Sequence, residues 1–148
     1  METKTAFNYF QEFTLEHNKL TDLESTSVFN SSVGISAFGV ARQGYLWSIK
    51  EQLKNRKIDF SSVGNEKTMS YKYCVVLKNK KLYKITELEK EEVEKIFNEY
   101  FKNNYPEKLI FNPKILDYDN EQFRFGMGKH FGVLVMNTNK MLKEWQKE

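Results

Sequence analysis

Apolar side chains recur at helical spacing in the first stretch of the chain. From Thr5 to about His17, Phe7, Phe10 and Phe13 fall on one side while Tyr9 and Leu15 widen the stripe, which predicts an amphipathic helix. Leu20 and Leu23 then lead into Ser25-Thr26-Ser27, which reads as a polar break. Residues 28–40 carry Val28, Phe29, Val33, Ile35, Phe38 and Val40 but are interrupted by Gly34 and Gly39, favouring a loop or short strand over a helix. Helical spacing returns over 41–56, with Leu46, Ile49 and Leu53 in register. Lys54, Arg56 and Lys57 crowd its end, where cations suit the negative pole of a helix dipole.

The period then changes from helical to alternating. Met69, Tyr71, Tyr73, Val75 and Leu77 alternate with Ser70, Lys72, Cys74, Val76 and Lys78, and Asn79-Lys80 turns the chain into Leu82–Ile85, which predicts a hairpin. Thr86-Glu87-Leu88-Glu89 has the form of a capping box opening a helix. Beyond it Leu88, Val93, Ile96, Phe97, Tyr100 and Phe101 form a continuous stripe, with Glu91, Glu92, Glu94 and Lys95 on the other side, and the helix must end before Pro106. Lys114–Tyr118 and Gln122–Met127 flank Asp119-Asn120 as two strands about a tight turn. Lys129–Met136 makes a third strand, and Thr138–Glu148 closes the chain as a short helix with Met141, Leu142 and Trp145.

Strands that come in hairpins, rather than alternating with every helix, indicate an α+β fold with an antiparallel sheet and helices packed mainly on one face. No repeat and no Gly/Ser/Pro-rich linker divides residues 1–148, so a single domain is expected. Aromatic residues make up 15% of the chain and add bulk to a modest 40% hydrophobic content. No apolar run approaches the length of a membrane span, and Met1–Thr5 lacks the basic and apolar regions of a secretory signal. Cys74 is the one cysteine, which excludes an internal disulfide and suits a reducing compartment; a cytoplasmic location and no membrane association are expected. The net charge of +3 is far below the basic load of a dedicated duplex-DNA binder. The cations are almost all lysine, which is poorer than arginine at bidentate recognition.

Several segments invite a chemical reading. In Phe125-Gly126-Met127-Gly128-Lys129-His130-Phe131-Gly132, bare amides and a lysine could cradle an anion. The dinucleotide fingerprint fails because Phe131 occupies its third glycine position. The phosphate-loop pattern fails because Lys129 precedes histidine, and the acetyltransferase coenzyme-A loop fails at Phe123. A strand connection explains the same glycines. Cys74 and His130 would make a nucleophilic pair only if the fold brought them together, and Cys74 reads better as a packing residue. Asp117, Asp119 and Glu121 superficially resemble the opening of a calcium loop, yet the sixth position is Gln122 rather than glycine, so a solvated hairpin tip is the simpler reading. No catalytic residue, metal ligand or cofactor site is assigned.

The lysine-rich hairpin, Lys78, Lys80, Lys81 and Lys84 with Tyr83 and nearby Tyr71 and Tyr73, has the composition of a single-stranded nucleic-acid surface, although lysines also guard exposed strand edges. Phe38, Tyr45, Trp47 and Trp145 suit either an interface or the core. The leading expectation is therefore a noncatalytic intracellular binding protein rather than an enzyme. It would occupy a protein or nucleoprotein partner in the manner of immunity proteins or phage antagonists of bacterial defence. Lys78, Lys80, Lys81, Tyr83, Lys84, Glu91 and Glu94 are its expected contact residues. The alternatives are a binder of RNA or single-stranded DNA through the lysine-tyrosine hairpin, and a small enzyme or anionic-ligand binder using Gly126, Gly128, Lys129 and His130.

Overall fold

The computed structural model describes residues 3–35, 39–129 and 131–145. Its elements run α1 (Ala6–His17), α2 (Asp22–Ser31), α3 (Val40–Asn55), β1 (Val75–Lys78), β2 (Lys81–Lys84), α4 (Lys90–Asn104), β3 (Lys114–Tyr118), β4 (Gln122–Gly126), β5 (Val133–Asn137) and α5 (Thr138–Trp145). Two 3-10 turns, Ile85–Glu87 and Pro106–Phe111, flank α4. The strands form a two-stranded sheet β1-β2 and a three-stranded sheet β3-β4-β5, both antiparallel, so the fold is α+β as expected. None of the described helices is long and apolar enough to cross a membrane. The chain divides into two compact units, Met1–Lys72 with Leu77–Leu82, and Tyr73–Val76 with Tyr83–Glu148.

The first unit is helical. Thr5 caps α1 by accepting from the Asn8 amide, and the Asn8 side chain accepts in return from the Thr5 amide. Thr21 and Glu24 make the same reciprocal pair at the start of α2. That helix runs through Ser25-Thr26-Ser27, so the expected polar break is corrected to a helix. Ser25 and Thr26 are buried, and the Thr26 hydroxyl donates to the Asp22 carbonyl one turn back. The expected loop or short strand at 28–40 begins as the end of this helix, and Phe38 lies outside the described residues. Phe29, Val33, Ile49, Leu53, Ile58 and Val63 form the unit's core.

The expected long strand from Met69 shrinks to Val75–Lys78. Asn79 and Lys80 both take positive φ, the geometry of a two-residue hairpin turn. Continuing its register would oppose Tyr73 to Thr86 and Tyr71 to Leu88, but there the chain has turned into the 3-10 turn Ile85–Glu87. Tyr71 instead joins the helical core. Its ring lies 5.0 Å from that of Phe29, and its hydroxyl donates to the Leu46 carbonyl. The expected capping box at 86–89 is also corrected. Glu89 is the N-cap and makes no side-chain cap bond, Glu87 accepts from the Lys84 amide, and Thr86 hydrogen-bonds the Asn120 side chain.

In the second unit α4 lays its apolar stripe on the inner face of the three-stranded sheet. The Phe97 ring sits 4.1 Å from Phe123, and Phe101 meets Phe125 edge-on at 5.0 Å. α5 brings Met141 and Leu142 into the same core, and the Tyr100 hydroxyl donates to Glu144 at 2.8 Å. Burial, and then the neighbouring carboxylate, push the Tyr100 phenol well above its ordinary pKa. Both helices lie on the Phe123/Phe125 face, which leaves the other face of the sheet open.

One contact sets the helix spacing of the first unit. A Cβ at Gly44 would lie 2.6 Å from the Ala6 carbonyl oxygen and 2.6 Å from Tyr9 Cβ. Gly44→Ala gains up to about 1 kcal/mol in helix propensity but overpacks the α1–α3 crossing at a cost of about 1–3 kcal/mol. We expect a net loss of up to roughly 2 kcal/mol, read as a lower urea midpoint with unchanged slope. A raised midpoint would show that the two helices separate freely.

Candidate partner-binding surface

Because α3 meets α1 at Gly44, the side chain one turn further along α3 reaches across to α1. Trp47 lies flat on Phe10, with centroids 4.1 Å apart and planes at 17°, and Phe7 completes the group 5.8 Å from Trp47. The cluster is stacked yet open to solvent, with Phe7 50% and Trp47 42% exposed. Deeper along the same helix pair, Tyr45 meets Phe13 edge-on at 5.0 Å and His17 at 5.5 Å, and so belongs to the packed interior of the crossing. The aromatic residues of this region therefore separate into Tyr45, used for packing, and Phe7 and Trp47, left presented. In the second unit, the Trp145 indole donates to Glu99 at 3.4 Å.

The crossing also buries a polar chain. Thr14 donates to Ser48 at 3.3 Å, and Ser48 lies 2.7 Å from His17 Nδ1. Ser48 and His17 share this hydrogen bond, whose donor is set by the imidazole tautomer. Burial, with Arg56 nearby, lowers the His17 pKa below its ordinary value, against an opposing pull from Glu16. The arrangement satisfies buried polar atoms between two helices.

The expected contact residues fall into different places. Lys78, Lys80 and Lys81 belong to the first unit, and Tyr83, Lys84, Glu91 and Glu94 to the second. Lys80 is tied down. Its ammonium lies 2.6 Å from Asp22 and donates to the Arg56 carbonyl, while the Arg56 guanidinium holds the other oxygen of Asp22 at 3.0 Å. The hydrogen bond from Lys80, then that from Arg56, holds the Asp22 carboxyl below the usual range. Glu91 stands exposed in the first turn of α4, and Glu94 lines a cleft of about 440 Å³ beside α4. Lys90, Asn98, Asn112 and Lys114 line it with Glu94, together with the rings of Phe97, Phe101 and Phe125.

Gly126 is a strand residue covered by the Leu116 side chain, and Gly128 takes positive φ against the Phe111 carbonyl. The Met127 amide donates to the Gly132 carbonyl at 3.0 Å, closing the β4–β5 connection. Lys129 is exposed at its turn, and His130 lies outside the described residues. Cys74 is buried, its sulfur 3.6 Å from the Asn139 carbonyl, and burial pushes the thiol up to about 12, so it carries little thiolate at neutral pH. Asp117 pairs with Arg124 at 2.7 Å, and Asp119 accepts the Glu121 and Gln122 amides, an Asx turn that holds its carboxyl low. Among the described residues no three His, Cys, Asp or Glu side chains gather as a metal site.

Compared with known protein families, curated proteins and solved structures, the chain matches none.

His17 links stability to pH. Its folded pKa is depressed, so its contribution is complete above the unfolded value of about 6.5 and is lost as pH falls through the folded pKa. The urea midpoint should fall as pH drops below about 6.5, and His17→Gln should flatten that part of the curve. An identical slope in the variant would assign the pH dependence to other groups.

Proposed function

We propose that this chain is a noncatalytic binding protein that occupies the surface of a protein partner, as small inhibitors of the immunity or anti-defence type do. The observation that carries the reading is the Phe7–Phe10–Trp47 cluster. Large aromatic rings supply most of the affinity at interface hot spots, because they bury much area and have few rotamers to lose. Here they are already ordered by stacking on one another and by the Gly44 crossing, so presenting them to a partner needs little reorganisation.

The nucleic-acid alternative rests on the lysine hairpin and is weakened by the use of Lys80 in the Asp22–Arg56 network. It predicts binding that falls steeply with salt.

Capture from the native host with and without nuclease separates the two. Phe7→Ala and Trp47→Ala should keep the far-UV circular dichroism of the wild type and weaken retention of a nuclease-resistant protein partner by about tenfold or more. Equal retention by both variants would remove the aromatic cluster from the interface. Recovery that vanishes with nuclease would move the assignment to the lysine hairpin.

A further inference from the structure

The three-stranded sheet has two edges of opposite character. β3 carries Lys114 and Asp117, and a bulge between Ile115 and Asp117 breaks its flatness. Charges and bulges are the devices that keep an edge from pairing with another chain. β5 has neither. Its sequence, Val133-Leu134-Val135-Met136-Asn137, holds no charge, and its register with β4 is regular throughout. Among the described residues no strand pairs with its outer side.

The direction of its backbone groups follows from the bonds bracketing the ladder. Met127 donates to Gly132 at one end, and Thr138 donates to Glu121 at the other. Bonded pairs recur every second residue in an antiparallel ladder, so Leu134 with Phe125 and Met136 with Phe123 are the bonded pairs. Val133, Val135 and Asn137 therefore turn their N–H and C=O groups outward. Their side chains lie on the sheet face that the helices leave open, where Val133 is 48% and Val135 is 55% exposed. In this register Val133 stands opposite Gly126 and Val135 opposite Arg124, whose guanidinium is drawn toward β3 by Asp117.

We propose that β5 is the dimer interface of this protein, pairing antiparallel with β5 of a second copy about a twofold axis at Val135. A five-residue strand overlaps itself completely only about its middle residue. There Val135 meets Val135, Leu134 meets Met136 and Val133 meets Asn137, so no like charges oppose each other. The same three residues that point their backbone groups outward supply every donor and acceptor of the new ladder. The pairing is isologous, and the guarded β3 edges at the ends of the resulting sheet stop it at two copies. It is independent of the Phe7–Phe10–Trp47 surface, which belongs to the first unit.

Sedimentation equilibrium of the wild-type chain over about a hundredfold range of concentration should show the mass rising from 17.6 kDa toward twice that value. Val135→Lys and Val135→Glu should each remain monomeric, because identical charges then meet on the axis, and an equimolar mixture of the two should recover the dimer. Leu116→Lys, on the same face but the opposite edge, should dimerise like the wild type. In the wild-type chain itself, amide exchange at Val133, Val135 and Asn137 should slow as concentration rises, a readout that needs no variant to fold. A wild-type chain monomeric at every concentration overturns the proposal and leaves the edge to a strand of another protein. A Val135→Lys protein that still dimerises, or amides at those positions indifferent to concentration, overturns it as well.

Discussion

Where α3 crosses α1 there is no room for a side chain at position 44, and that lack of room organises the first unit. Bringing the two backbones together places Ser48, one turn along, within reach of His17 and Thr14, and places Trp47 over Phe10. The buried hydrogen-bond chain and the exposed aromatic stack are thus two sides of one crossing. Moving the helices apart would lengthen the Ser48–His17 bond and unseat the indole together. The constraint also explains why a helix with a tryptophan, a tyrosine and an isoleucine in its middle does not bury all three. Ile49 goes to the core, Tyr45 to the helix contact, and Trp47 is left with one face on Phe10 and the other toward solvent.

The second unit is governed by a different asymmetry. α4 and α5 fill one face of the three-stranded sheet with Phe97, Phe101, Met141 and Leu142, and the Phe123/Phe125 side of β4 answers them. The opposite face changes character across its width. The Arg124–Asp117 ion pair lies toward β3, and exposed valines lie toward β5. An exposed ion pair adds little stability, so its role at that edge is better understood as discouraging contact. The β5 side has no such device, and exposed β-branched residues on an uncharged edge strand are the combination most prone to pair with another strand.

Much of this was legible where a period ran long enough to be unambiguous. The stripe from Val93 to Phe101 gave α4, Leu46, Ile49 and Leu53 gave α3, and Asn79-Lys80 and Asp119-Asn120 marked both turns. α2 escaped because its buried positions include Ser25, Thr26 and Asn30, which have no hydrophobic period. The signal that could have found it was Thr21-Asp22-Leu23-Glu24, whose reciprocal cap is present in the structure. The Met69–Tyr73 alternation misled for the opposite reason. Alternation reports which side chains share a face, but a strand also needs a partner for its amides, and the chain opposite has turned away. Of the expected contact residues, the sequence could show that Lys80 sits on a cationic hairpin. It could not show that Asp22, far away in the chain, already neutralises it.

What distinguishes the candidate surfaces from the discarded ones is whether the fold already uses the groups. The thiol of Cys74 is buried and kept protonated, and Gly126 and Gly128 are consumed by Leu116 and by the β4–β5 connection. The carboxylate of Asp119 holds its own turn. Each of these had looked reactive as a residue type, and each is engaged by neighbours that leave little capacity for a ligand. Phe7, Trp47, Val133 and Val135 are in the reverse position. They are hydrophobic, held in place by packed elements, and half open to water, where burial against a partner would gain about 25 cal/mol for each Å² of apolar surface removed from solvent. Ordered apolar area is what association can use without first reorganising the chain, and the α1–α3 crossing and the β5 edge each present such area.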